Sequence, residues 1–293
     1  MAIALAKNYA PLLDEVYKKA SVTSDLTGDP KMARAGVNVN EICYPQISVT
    51  GLGDYDRNSG YTNGAVDLVW KTTTFNYDRG TKISVDTMDN QETFDISLGS
   101  AGAELIRTKV APEADAFTFA TLAGIEGISR ATPTTYADAT EFLKALIEAK
   151  NKMDEDEVPE ENRLLYATPT LLNAIMALDT TKSREILNAF TVKKAVPQSR
   201  FYTAIDMLDG KSTGEEAGHY KKAESGTDIN FMIIHKPAII KYDKHIAHDL
   251  IAPENNPDSD SYILKYRKYG IVDVYKNKVA GIYLSAKAAP TKA

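Results

Sequence analysis

His245, His248 and Asp249 come nearest to chemistry in this chain. Two imidazoles and a carboxylate sharing one side of a helical turn could hold a metal ion and activate water. A catalytic zinc wants a third strong ligand and a nearby general base, and no His-Glu-x-x-His pattern supplies them. The three read as surface residues, with a soluble metal-dependent hydrolase as the alternative they would support. Asp54, Asp56, Asn58 and Gly60 begin like a calcium loop. Such a loop needs glycine at its sixth position and glutamate at its twelfth, where Ser59 and Ala65 stand, so this is a turn-rich loop. Gly51-Leu52-Gly53 lacks the Lys-Ser/Thr of a phosphate loop, and no G-x-S-x-G elbow is present. Asp154 to Glu157 reads as a solvated helix end. Cys43 reads as a small buried apolar group. No catalytic residue, metal site or cofactor is expected.

The totals agree with that reading. Cys43 is the only cysteine of 293 residues, which excludes an intrachain disulfide and a thiolate-rich zinc site. A net charge of −6 argues against a general nucleic-acid binder and suits a wall that should not adhere to a polyanion. The N-terminus has no signal-peptide pattern and no apolar run approaches a membrane span, so a soluble protein made in the cytoplasm is expected.

The elements that would position these residues mix strands and helices without regular βαβ alternation, which favours α+β. Met1 to Lys19 carries an apolar stripe (Leu5, Leu12, Leu13, Val16) compatible with a helix. Ser21 to Asn40 reads as an arm or linker, with an ordered surface loop as the alternative. Glu41 to Thr50 is a short strand that Pro45 pushes towards an edge, followed by turn-rich Gly51–Gly64. Gly99 to Gly124 is a long helix that kinks or restarts at Pro112, where Glu113 and Asp115 suit a fresh N-terminus by charge. A helix is predicted from about Asp138 to Met153. Thr168 and Pro169 are placed at the cap and first turn of another, and a third is predicted around Ser183 to Lys194. Strands are predicted at Arg163–Ala167, Ser199–Ile205, Asp228–His235, Pro237–Lys244, Tyr262–Tyr275 and Lys278–Ser285, the last two joined at Asn277.

One stretch organises the rest. Val66 to Glu92 reads as two long strands joined by a tight turn at Asp78-Arg79-Gly80. A strand of about 12 residues reaches on the order of 40 Å, and an isolated two-stranded ribbon of that length is marginal in water. Either its own domain covers it or a neighbouring copy does, and the second is the reading adopted.

That hairpin (Trp70 to Asp86, then Met88 to Thr93) resembles the extended loop of HK97-type major capsid proteins of tailed bacteriophages. The kinked Ala103–Leu122 stretch resembles the family's long spine helix, and Lys265 to Leu284 its closing strands. The resemblance spans the chain from about Ile42 onward and rests on element order and loose motifs. It implies an N-terminal arm at 1–41, an extended hairpin loop region at 42–98 and a spine helix of the peripheral domain at 99–134. It also implies an axial domain at 135–252 and C-terminal strands at 253–293. In that family the loop drapes over the adjacent subunit, so the implied function is a shell protein that self-assembles as hexamers and pentamers around double-stranded DNA. An encapsulin-type compartment or a phage tail tube are rivals. Implied partners are a separate scaffolding protein, a portal and a decoration protein, with weak contact to packaged DNA and none to membrane. The implied location is the virion, assembled in the host cytoplasm.

The candidates for subunit contact are Trp70, Phe75, Asp78, Arg79, Lys82, Glu92, Arg267, Tyr269 and Lys278, with Asp78, Arg79 and Lys82 at the expected hairpin tip. Some relatives join a loop lysine to a neighbour's asparagine; Lys71 or Lys82 and Asn277 are the residues available, and nothing in the sequence selects them. Deleting Phe75 to Ile83 is expected to leave a folded monomer that cannot close a shell.

Overall fold

The computed structural model describes residues 21–28, 34–35, 40–58, 60–92, 102–178 and 180–287; the expected helix of Met1–Lys19 lies outside them. In chain order the first strands are β1 (Arg34–Ala35), β2 (Glu41–Val49), β3 (Val66–Thr74) and β4 (Tyr77–Asp86), then helix α1 (Thr87–Glu92). A long helix, α2, covers 102–124 and leads to β5 (Ser129–Arg130) and α3 (Ala139–Glu155). Next come β6 (Arg163–Ala167), α4 (Pro169–Ala177), α5 (Thr181–Asn188), β7 (Val192–Ala195), β8 (Ile205–Met207) and β9 (Tyr220–Lys222). The last strands are β10 (Ile229–His235), β11 (Ile239–Ile251), β12 (Ser261–Val274) and β13 (Ile282–Ala286).

Apolar runs make the centre. Every residue of β6 and β10 is buried, as expected of strands covered on both faces. They lie in a five-stranded sheet of order β5-β13-β10-β6-β7. Alternation along the strands divides the core. Leu165, Phe231 and Ile233 meet Phe142 and Leu146 of α3 and Ile186 of α5 on one face. Tyr166, Met232 and Ile234 meet Phe119 and Leu122 of α2 on the other. Asp138 caps α3 as its side chain accepts from the amides of Thr140 and Glu141.

A second sheet, β11-β12-β4, lies against the first half of α2, where Leu264 and Tyr266 bury Ile106 and Val110. Two 3-10 turns join the sheets: Lys236–Ala238 carries β10 into β11, and Lys276–Gly281 carries β12 into β13. They touch, with Tyr275 N donating to Ala238 O at 3.0 Å. The two closing strands therefore belong to different sheets and do not form one hairpin. β11, within the segment expected to be axial, pairs with β12, whereas β13 returns to the middle of the five-stranded sheet.

α2 neither breaks nor restarts. Pro112 has no amide to offer the carbonyl four residues back, and the helix absorbs this with one π-helical turn, Ile106–Val110, immediately before it. Glu113 and Asp115 consequently lie inside a continuous helix, buried. The expected helix of Ser183–Lys194 stops at Asn188. Its remainder becomes β7, drawn into parallel pairing with β6. Ser199–Ile205 is not a strand, since Gln198–Arg200 is a 3-10 turn and only Ile205 enters β8.

Candidate assembly surface

The expected hairpin is wrong in its partner. β3 pairs with β2, from Glu41↔Thr74 to Val49↔Val66, while β4 pairs with β12, from Tyr77↔Gly270 to Asp86↔Ser261. Asp78, Arg79 and Gly80 are interior residues of β4. The glycine that resembled a turn signal is there because a Cβ would stand 2.9 Å from the Tyr266 carbonyl. Deleting Phe75–Ile83 would remove most of β4, so the separation of folding from assembly needs a cut elsewhere.

The real ribbon is β2–β3, about 30 Å of paired strand at about 3.3 Å per residue. Its base is anchored within the chain. Ile42 and Tyr44 are buried against Ile240 and Ile271, and Tyr44 meets Tyr275 edge-on at 4.9 Å. Thr73 Oγ1 donates to the Asp273 carboxylate. The Asn76 amide donates to Val272 O at 2.8 Å and accepts from Val272 N at 3.1 Å, so a side chain stands in for one more residue of ladder. Burial lifts the Tyr44 hydroxyl pKa above its ordinary value.

Beyond the base much of the ribbon is exposed. Residues directly opposite share a face, which puts Pro45/Trp70, Ile47/Leu68 and Val49/Val66 together on one side. The other side carries Gln46/Val69 and Ser48/Asp67. On the apolar side Val49 is 68% exposed, Val66 71%, Ile47 59%, Leu68 51% and Trp70 46%. The tip is tied shut where the Thr50 hydroxyl donates to the Ala65 carbonyl and accepts from its amide. Tyr55 and Tyr61 meet there at 4.8 Å, and Leu52 is fully exposed. Asp56 and Asn58, parts of the apparent calcium loop, instead make a turn in which Asp56 accepts from the Asn58 amide.

The remaining candidates are placed as follows. Phe75 stacks on Tyr269 at 4.7 Å, with Lys244 Nζ 5.0 Å from the Phe75 ring. Asp78 accepts two hydrogen bonds from Arg267, at 2.9 and 2.7 Å. Arg79 donates to Glu113 of α2 at 2.8 Å and to the carbonyls of Leu208 and His219. Burial alone would raise the Glu113 carboxyl; the His219 imidazole, its Nδ1 3.4 Å away, and the hydrogen-bonded Arg79 guanidinium outweigh it and hold the carboxyl below its usual range. Lys82 is exposed and lies opposite Lys265. Lys278 lies over the Tyr275 ring at 5.4 Å. Glu92 ends α1, its side chain outside the described residues. His245, His248 and Asp249 lie on β11, where a spacing of three puts the imidazoles on opposite faces, so the shared helical turn does not exist. Among the described residues no group of three or more His, Cys, Asp or Glu could hold a metal ion, and no helix is long and apolar enough to cross a membrane.

No family model matches the chain, and no curated protein does. Solved structures do. A chain titled "Capsid structure of the Cyanophage P-SCSP1u" is 12% identical at a TM-score of 0.59, over 92% of this chain and 88% of that one. One from the virus-like particle of Pyrococcus furiosus is 11% identical at 0.59, over 96% and 99%. One from Mycobacterium phage Che8 is 13% identical at 0.59, over 90% of each. The chain has the HK97-type capsid fold. In this HK97-type molecule the projecting element is β2–β3 and the long helix is α2.

The strand expected at Glu41–Thr50 is present as β2, but its place as the ribbon's first strand, paired with β3, was not expected. Its signal was present: Pro45, Ile47 and Val49 alternate with polar residues, and a turn-rich stretch separates them from the second strand.

Proposed function

We propose that this chain is a major capsid protein, copies of which close into an icosahedral shell around phage double-stranded DNA. The observation that carries the reading is the apolar side of the β2–β3 ribbon. Fully burying one large aliphatic or aromatic side chain contributes about 1.5–3 kcal/mol, and five such side chains stand exposed together here. An exposed ion pair contributes only about 0.2–1 kcal/mol. Apolar burial under a neighbouring copy therefore outweighs any salt bridge the ribbon could add. A structural protein is the class this supports. The net charge of −6 suits a wall that encloses DNA without adhering to it. Hexamers and pentamers, a separate scaffolding protein, a portal and a decoration protein complete the proposed assembly, with the virion as its location.

The test is negative-stain electron microscopy of purified protein together with a variant lacking residues 46–69. Closed particles from the full chain and folded monomers from the variant are expected. Particles of normal size from the variant would remove the ribbon from the mechanism. Nuclease-protected DNA in particles recovered from infected cells is expected; protein cargo without DNA would redirect the reading to a compartment shell.

A further inference from the structure

Ser21 to Gly28, expected to belong to an arm or linker, is instead held by side chains from three separate elements. Asp115 of α2, fully buried, accepts from Ser21 Oγ at 2.8 Å, Val22 N at 3.0 Å, Thr23 N at 3.1 Å and Thr23 Oγ1 at 2.7 Å. Arg200 adds a fifth contact at 3.1 Å. Lys241 of β11, also buried, donates to the Thr23 carbonyl at 3.0 Å and to its hydroxyl. Lys194 of β7 donates to Val22 O at 3.1 Å and pairs with Asp25. Gly28 N donates to Lys241 O at 3.1 Å, and Leu26 is buried in the core beside Phe119.

These contacts span a joint. Lys194 belongs to the five-stranded sheet, Lys241 to the three-stranded sheet and Asp115 to the helix lying against both. Besides the strap, the sheets are joined by the two adjacent 3-10 turns and share apolar contacts, Ile239, Val272 and Val274 of one lying in the same core as Met232, Ile234 and Ile282 of the other, so a change of angle would shift these surfaces about the turns. A buried carboxylate and a buried ammonium are costly unless each keeps its hydrogen-bond partners. Unseating the strap would strip four of the five donors from Asp115 and both Thr23 oxygens from Lys241. The strap therefore seats as a unit.

We infer that Ser21–Gly28 is a brace whose seating on Asp115, Lys194 and Lys241 fixes the angle between the two sheets, and through it the curvature at which copies assemble. The curvature part rests on the shell function proposed above; the brace itself does not.

The experiment pairs Ser21→Ala with Thr23→Val, which removes two hydroxyl donors and leaves every charged group in place. Spin labels at Lys144→Cys on α3 and Lys265→Cys on β12, in a Cys43→Ser background, report the inter-sheet distance in unassembled subunits. A narrow distribution in the parent and a broader or displaced one in the double variant are expected. Hydrogen exchange of 21–28 should quicken at least about tenfold while β4 and β12 keep their protection. An unchanged distance distribution with the strap released overturns the brace, as does undisturbed protection of 21–28. Electron microscopy of assembled double variant should show altered or mixed particle diameters. Uniform parental diameters with a broadened inter-sheet distance would overturn the curvature part alone. If the parent forms no particles, the shell function fails, and the label distances still decide the brace.

Discussion

β3 and β4 follow one another in the chain with only Phe75 and Asn76 between them, and they meet opposite fates. β4 is stitched along its length to β12, and its sheet covers Ile106 and Val110 of α2. β3 runs out along β2 with its apolar side largely exposed. Both strands are rich in residues that suit a pleated surface, so propensity does not distinguish them. What differs is the second layer: β4 lies over a helix of its own chain, whereas beyond Tyr44 the ribbon's apolar side is largely exposed. One strand serves the fold, and the other has a surface suited to a neighbour.

That contrast breaks first, and hardest, at Leu68 and Trp70. Replacing both with Asp is expected to abolish closed particles by electron microscopy, while the thermal midpoint of the unassembled subunit stays within the range of a surface change, about 0.5 kcal/mol. A large loss of subunit stability would mean that the ribbon supports its own fold after all. The converse substitution, Phe119→Ala on α2, empties space between Tyr166 and Phe201. It is expected to cost about 3–5 kcal/mol in denaturant unfolding, and to reduce assembly only by depleting folded subunits.

A smaller effect is expected where β4 is tied to α2 through charge. Arg79→Met strips the partly exposed guanidinium from Glu113, which keeps Tyr77 and His219 as neighbours. A loss of about 1–3 kcal/mol is expected, below that of a fully buried pair because Arg79 is partly in water. Lys241 gives a pH signature. Burial, first, and then the charge of Lys268 lower its pKa to about 8, against the raising influence of Asp115 and Asp243, with Lys194 adding to the lowering. The unfolded chain holds that proton up to the ordinary lysine value near 10.4, so it binds more protons than the folded chain between the two values. Stability of the parent relative to Lys241→Met should therefore rise from about pH 8 towards pH 10, as read from paired thermal midpoints. A flat difference would place Lys241 in water.

How much of this was legible follows the distance over which each signal acts. The helix starting near Asp138 and the continuous apolar runs of β6 and β10 are local facts of composition, and the structure keeps them. Pairing is not local. Phe75-Asn76-Tyr77-Asp78-Arg79-Gly80 has the composition of a turn between two strands, yet Gly270 and Arg267, almost two hundred residues on, claim Tyr77 and Gly80 as partners. Asp115 looked like a helix-dipole residue because only the folded chain brings Ser21, Thr23 and Arg200 to it. The ribbon's apolar side was readable in part. Trp70 stood out by type, but its neighbours across the ladder depend on the pairing of β2 with β3.

The smallest expected effect sharpens the contrast most, because it concerns β4's exposed edge. Asp78 and Arg267 face each other across β4 and β12 in a two-pronged pair, and each side chain is about half exposed, at 47% and 58%. Hydrogen bonding from Arg267 holds the Asp78 carboxyl below its usual range, so whatever the pair contributes is present above the ordinary aspartate value and fades as pH falls through the lowered one. Water and salt screen it throughout. Asp78→Asn should leave both the thermal midpoint and the particle yield unchanged at physiological ionic strength. If yield falls while the midpoint holds, the pair is satisfied twice, once within the chain and once against a neighbour. β4 would then share the role assigned here to the ribbon alone.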